Sequence, residues 1–99
     1  MTVNTGAQFN SGQVVTVNID LASIAANTTV DVAVALPAGT MDADDRAKFI
    51  GAPALNHGLL VQGCHTPGVD TFLMRVSNVT AGALDAAAIA FDFLILRRA

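Results

Sequence analysis

The sequence predicts an all-β fold, a small β-sandwich or jelly-roll-like domain, and three observations predict it. Five short stretches alternate apolar and polar side chains with a period of two, the repeat that sends successive residues to opposite faces of a strand. All the acidic residues are aspartate, which favours turns and caps, and none is glutamate, which propagates helix. No amphipathic run of about 10–15 residues separates the alternating stretches, as parallel α/β folds require.

Residues 1–12 (MTVNTGAQFNSG) carry only Val3 and Phe9 as sizeable apolar groups. They read as a flexible N-terminal arm that orders against a neighbour, ahead of one domain over residues 13–99. Val15, Val17 and Ile19 then face one way and Thr16, Asn18 and Asp20 the other, the pattern of a half-buried strand. Leu21 to Asn27 is too short for a stable helix and too alanine-rich for a strand, so it is a connection in which Ile24 plugs the edge of the core. A second strand alternates Val30, Val32, Val34 and Leu36 with Thr29, Asp31, Ala33 and Ala35, and Pro37, lacking an N–H, ends it.

Residues 38–48 (AGTMDADDRAK) combine three aspartates with Arg46 and Lys48, which suits an exposed loop or a single helical turn capped by Thr40 or Asp42. Phe49 and Ile50 restart an apolar stretch that Pro53 ends. Leu59 to Cys64 and Phe72 to Ser77 form two strands of a hairpin, joined through a Thr66-Pro67-Gly68 turn. Asn78 to Gly82 makes a further turn before the terminal strand, Ala88 to Leu96, which is apolar on both faces. Ile89, Phe91, Phe93 and Ile95 are expected in the core. Leu94 and Leu96 on the opposite face, together with Leu73, are the candidate subunit interface, with Ala90 allowing close approach and Asp92 limiting its depth.

Composition points the same way. Hydrophobic residues make up 53% of the chain and charged ones 13%, against roughly 45–50% and about 25% in ordinary soluble domains. A single small domain buries a limited share of its surface, so the surplus apolar area asks for partners. The net charge of −3 and the lack of a basic stripe interleaved with aromatics argue against nucleic-acid binding. No apolar run reaches the roughly 18–20 residues of a membrane helix, because Asp85 and Asp92 interrupt the best candidate. A lone cysteine and an N-terminus without signal-peptide regions suit synthesis in the cytosol, and the Asn-x-Thr sequences at Asn27 and Asn78 then read as turn chemistry.

Little in the chain suggests an enzyme. His57, Cys64 and His65 are the only soft metal-ligand types, and the adjacent Cys64 and His65 would point to opposite faces of a strand. A thiol nucleophile at Cys64 would need His57 from a neighbouring turn and an orienting group. Asp42, Asp44 and Asp45 lack the glycine and distal glutamate of a calcium loop. No glycine-rich phosphate motif is present. We therefore expect no catalytic residues, no metal and no cofactor. Arg97 and Arg98 either meet an acidic partner surface or keep a hydrophobic strand soluble.

The order of segments resembles small structural proteins encoded by tailed bacteriophages, over roughly residues 23–98. The resemblance is carried by Ala25-Ala26-Asn27-Thr28-Thr29 before a strand ending at Pro37, by Pro53-Ala54-Leu55 and Gly58-Leu59-Leu60-Val61, and most specifically by Asn78-Val79-Thr80-Ala81-Gly82-Ala83-Leu84-Asp85 between two strands. It implies a non-enzymatic virion component, foremost a capsid cement or decoration protein. Such a protein is made in the host cytoplasm and sits on the capsid surface as a homo-oligomer, often a trimer, against the major capsid protein. Val3, Phe9, Arg97 and Arg98 are the candidate capsid contacts. A tail or baseplate component, or a small cytosolic module binding a carbohydrate or peptide, are the alternative readings, the last disfavoured by five phenylalanines without Trp or Tyr.

Overall fold

The alternation seen in the sequence becomes two facing sheets because each strand has one apolar face that only another such face can cover. The computed structural model describes residues 9–85 and 87–98. These residues form six strands: β1 (Phe9–Ile19), β2 (Thr28–Ala35), β3 (Arg46–Gly51), β4 (Leu59–Gly68), β5 (Thr71–Asn78) and β6 (Ile89–Arg98). One sheet has the order β1-β6-β3 and the other β2-β5-β4, every pairing being antiparallel. The fold is thus all-β, a small β-sandwich. Its pairings are nested, β1 with β6 and β2 with β5, and the ribbon is rolled so that β6 lies between β1 and β3 while β5 lies between β2 and β4. This is the winding of a jelly roll built from six strands instead of eight.

The core lies between the sheets. Phe91, Phe93 and Ile95 of β6 are fully buried, as are Phe72, Met74 and Val76 of β5, and Ile89 packs against them half-buried. Four of the five phenylalanines form one cluster: Phe93 meets Phe72 edge-on at 5.0 Å and Phe49 at 6.0 Å, and stacks with Phe91 at 6.4 Å. Such contacts add about 0.5–1.5 kcal/mol per pair to the area they bury. Ile24 is 3% exposed and plugs the core edge as expected, its N–H and C=O both bonded to Leu84 at 2.8 and 3.0 Å.

The structure corrects several local expectations. β1 starts at Phe9, so the last four residues of the expected arm, Phe9 to Gly12, belong to the strand, with Phe9 opposite Arg98 and Gly12 opposite Leu96. The 38–48 segment contains no helical turn; Arg46, Ala47 and Lys48 already pair with β6, and the rest is two tight turns. The β4–β5 hairpin turns at Val69–Asp70, beyond Thr66-Pro67-Gly68, which instead widens β4 in an irregularity between His65 and Gly68. Asp70 takes the left-handed conformation (φ 55°) that aspartate tolerates in turns, and Asn27 does so between Ile24 and β2 (φ 53°).

Candidate functional site

On the outer face of β1-β6-β3 the side chains run Val14, Thr16 and Asn18 on β1, Asp92, Leu94 and Leu96 on β6, and Arg46, Lys48 and Ile50 on β3. Gly12 faces Leu96 across the ladder, and a Cβ there would lie 3.1 Å from Leu94 Cδ1 and 3.6 Å from Leu96 Cδ2. Without that Cβ, the two leucines lean over β1 and are half-buried against their own sheet. Val14 and Ile50 flank this strip and are 61% and 53% exposed. The result is a flat apolar strip of four side chains, edged by Arg46 and Lys48 and interrupted by Asp92, which accepts a 2.6 Å hydrogen bond from Thr16 Oγ1.

Val14 and Ile50 are the members of this strip that alternation alone overlooks. Their signal is the adjacent apolar pairs Val14-Val15 and Phe49-Ile50, since two neighbours on a strand cannot share a face. Leu73, by contrast, lies on the outer face of β2-β5-β4, half-buried between Ala33 and His65, on the opposite side of the sandwich. The three leucines expected at one contact are therefore divided, Leu94 and Leu96 on one face and Leu73 on the other.

That second face carries Leu73 and the half-exposed Leu60 together with a polar cluster whose members bond one another. Asp31 accepts from Arg75 Nε at 3.0 Å and Arg75 Nη2 at 3.3 Å, and His65 Nε2 lies 3.0 Å from the same carboxylate. His65 reaches Asp31 across Leu73 and also bonds Thr66 Oγ1 through Nδ1 at 2.9 Å. Thr29 and Ser77 hydroxyls pair at 2.7 Å. The hydrogen bonds from Arg75, then from His65, hold the Asp31 carboxyl below the usual range, and Asp31 in turn raises Arg75.

The end of the molecule that carries the expected basic contact is clasped inward. Arg97 is directed at the chain's own 39–45 segment: its Nη1 donates to the Gly39 and Thr40 carbonyls at 3.3 and 3.4 Å, and its head lies 3.6 Å from Asp42 and 3.8 Å from Asp45. Beside it, Asp70 accepts the successive N–H groups of Gly39, Thr40 and Met41 at 3.0, 2.8 and 2.9 Å. Those donors, Met41 foremost, depress the Asp70 carboxyl. The Phe9 and Arg98 backbones close the β1–β6 ladder, while their side chains, and Val3 altogether, lie outside the described residues.

Asn78 is the polar residue whose role the sequence hides. It is 1% exposed and knits four bonds, donating to the Ile24 and Gly82 carbonyls and accepting from the Thr80 N–H and hydroxyl, at 2.7 to 2.9 Å. The Asn-Val-Thr-Ala-Gly segment is thus a staple joining the end of β5 to the Ile24 plug. Its only outward signal is an Asn-x-Thr sequence.

Cys64 and His65 do point to opposite faces, Cys64 inward against the core and His65 outward. Burial pushes the Cys64 thiol up to about 11. His57 sits in the turn before β4, whose first residue, Leu59, is itself five residues or roughly 16 Å from Cys64 along the strand, so His57 does not form the neighbour that a thiol nucleophile would need. Among the described residues no three of His, Cys, Asp or Glu converge as a metal site, and no helix is long and apolar enough to cross a membrane. Comparison with protein-family models, with curated proteins and with solved structures gave no match.

Proposed function

We propose that this chain is a non-enzymatic structural component of a bacteriophage virion, a capsid cement protein that self-associates and stabilises the shell on which it sits. The observation that carries the reading is the outer strip of Val14, Leu94, Leu96 and Ile50, four apolar side chains gathered on one outer face of the sandwich. Burying a side chain of this kind contributes on the order of 1.5–3 kcal/mol when it is fully exposed beforehand; Val14 and Ile50 start closest to that condition, Leu94 and Leu96 already being half covered. The resemblance of residues 23–98 to tailed-phage structural proteins supplies the assembly in which such a surface would be used.

A protein that binds only the assembled shell shifts assembly toward completion by mass action. The test has two arms. Light scattering of the purified chain is expected to give an oligomer, and mixing with phage capsids lacking it is expected to give binding in many copies per particle. A monodisperse monomer that also ignores such capsids overturns the proposal, and binding in few copies at one vertex moves the protein to the tail or baseplate.

A further inference from the structure

Among the described residues the two sheets have four outer edges, β1, β3, β2 and β4, and three of them are guarded. An unguarded edge is a template for another strand, and charges, proline, irregularities and shortness are what blunt it. β3 is six residues long and carries Arg46 and Lys48. β4 is irregular between Val61 and Gly63 and between His65 and Gly68, where Pro67 lacks an N–H. β2 has Asp31 in its middle, held by Arg75 and His65. Along β1 these devices are missing. At eleven residues, Phe9–Ile19, it is the longest of the six strands, and it contains no charged residue and no proline. From Ser11 to Ile19 its ladder with β6 runs without irregularity. Its inward side chains Val15 and Val17 pack against the core yet stay only half-buried, and no loop backbone among the described residues bonds to its outer edge.

We infer that β1 pairs with β1 of a second copy of the chain, antiparallel across a two-fold axis at Val15, so that two three-stranded sheets become one. Three observations select that partner. Of the edges this chain offers to a copy of itself, β1 is the one free of charge, proline and irregularity over Ser11–Ile19, and a rotation that joins two like edges makes them antiparallel and leaves neither exposed. Full overlap of Ser11–Ile19 centres the axis on Val15 and sets Val14 opposite Thr16, Gln13 opposite Val17 and Gly12 opposite Asn18, so the half-buried Val15 and Val17 gain cover and no charged pair enters the ladder. The net charge of −3 does not oppose the contact. The two Asp20 fall at opposite ends, and the two Asp92, each bonded by Thr16 Oγ1, are separated by three strand spacings, about 14 Å across the sheet, which exceeds the screening length of about 8–10 Å. The rotation also keeps both outer faces on one side, so that Val14 and the leucines leaning over Gly12 run together with those of the copy across the seam.

The inference rests on the self-association proposed above, and the experiment separates the two. In a chain carrying Cys64→Ala, the single substitutions Gln13→Cys, Val14→Cys, Val15→Cys, Thr16→Cys and Val17→Cys, with Ile50→Cys on β3 as the contrast, are mildly oxidised and resolved on a non-reducing gel, after circular dichroism has established that each is folded. Directly opposed residues of an antiparallel pair lie about 4.5–5.5 Å apart at Cα, within reach of a disulfide. Val15→Cys is expected to give the covalent dimer, several-fold above Gln13→Cys and Val17→Cys. In the intact chain, alternate amides of Ser11–Ile19 are expected to exchange about tenfold more slowly when the free chain is at ten times its dissociation constant than in dilute solution. That measurement needs no substitution and decides should a variant fail to fold. An oligomer that crosslinks at Ile50→Cys or at no β1 position, with β1 amides indifferent to concentration, overturns the edge pairing and leaves self-association standing; a chain that is monomeric throughout by light scattering overturns both.

Discussion

The two outer faces of this sandwich are built by the same period-two rule and differ in what they offer to a neighbour. On β2-β5-β4, Asp31 pairs with Arg75 and His65, and Thr29 with Ser77, beside the small residues Ala33 and Ala35, and the one large apolar side chain left half-exposed among its strands is Leu60. On β1-β6-β3, Gly12 lets Leu94 and Leu96 lie flat and leaves Val14 and Ile50 exposed beside them. A face whose hydrogen bonds are satisfied gains little from a partner, since exposed ion pairs contribute only about 0–1 kcal/mol and are screened by salt. A face with surplus apolar area gains more. Alternation thus says which residues look outward, and side-chain chemistry decides which outward face has apolar area left to bury.

The largest expected effect lies one residue from that surface. Phe93→Ala removes the ring at the centre of the phenylalanine cluster and should cost about 3–5 kcal/mol of stability, a loss visible as a melting temperature lowered by well over 10 °C. Leu94→Asp, its immediate neighbour on the other face, should lower the melt much less than Phe93→Ala while dissociating the oligomer proposed above; a variant that stays oligomeric places the seam elsewhere. The contrast between the two substitutions measures how sharply inside and outside are divided along β6.

Asn78→Ala tests whether a buried polar residue can rival the aromatic core. It removes four hydrogen bonds and leaves the Thr80 N–H without its acceptor, while the Ile24 carbonyl keeps Leu84 N–H and the Gly82 carbonyl keeps the Thr80 hydroxyl, at a cost of about 1–3 kcal/mol, read by urea unfolding. On the β2-β5-β4 face, Asp31→Ala should leave both the urea midpoint and association nearly unchanged, because its ion pair with Arg75 is exposed to solvent. Loss of the oligomer in that variant would reverse the assignment of the two faces.

The smallest expected effect is a pH dependence at the acid end. Asp31 and Asp70 both have carboxyls held below their ordinary value in the folded chain, so unfolding raises their proton affinity. Their contribution is complete above the unfolded carboxylate range, near pH 4, and is lost as pH falls through the lower folded values. Stability should therefore decline on acidification below about pH 4, and less steeply in Asp70→Asn, checked by melts across that range.

Much of the fold was legible because strand faces follow from local geometry. The inward sets Val30-Val32-Val34 and Phe91-Phe93-Ile95, the Ile24 plug and the β4–β5 hairpin can all be read from side-chain order. The boundaries were less so. Phe9 to Gly12 resemble a polar arm because β1 lies at a sheet edge, where pairing with β6 asks nothing of the outward side chains. Arg46 to Lys48 resemble a charged loop because β3 exposes both charges while burying only Ala47 and Phe49.

The candidate site was legible in half. Leu94 and Leu96 sit on an outer face as their spacing requires, whereas Leu73 was grouped with them only because parity within one strand says nothing about which sheet that strand joins. Arg97 looked free because its partners, the Gly39 and Thr40 carbonyls and Asp42, are more than fifty residues away in the chain.

Taken by itself, the sequence determined that this chain forms strands, that those strands have one apolar face each, and that their apolar surface exceeds what one small core can take up. Backbone pleating makes these local properties of consecutive residues. Only the tertiary structure decided that β6 lies between β1 and β3, that Leu73 and Leu94 look in opposite directions, that Asp70 is cradled by Gly39 to Met41, and that β1 lies at a sheet edge. Those outcomes depend on which strands pair, and pairing is settled by the joint burial of residues far apart in the chain.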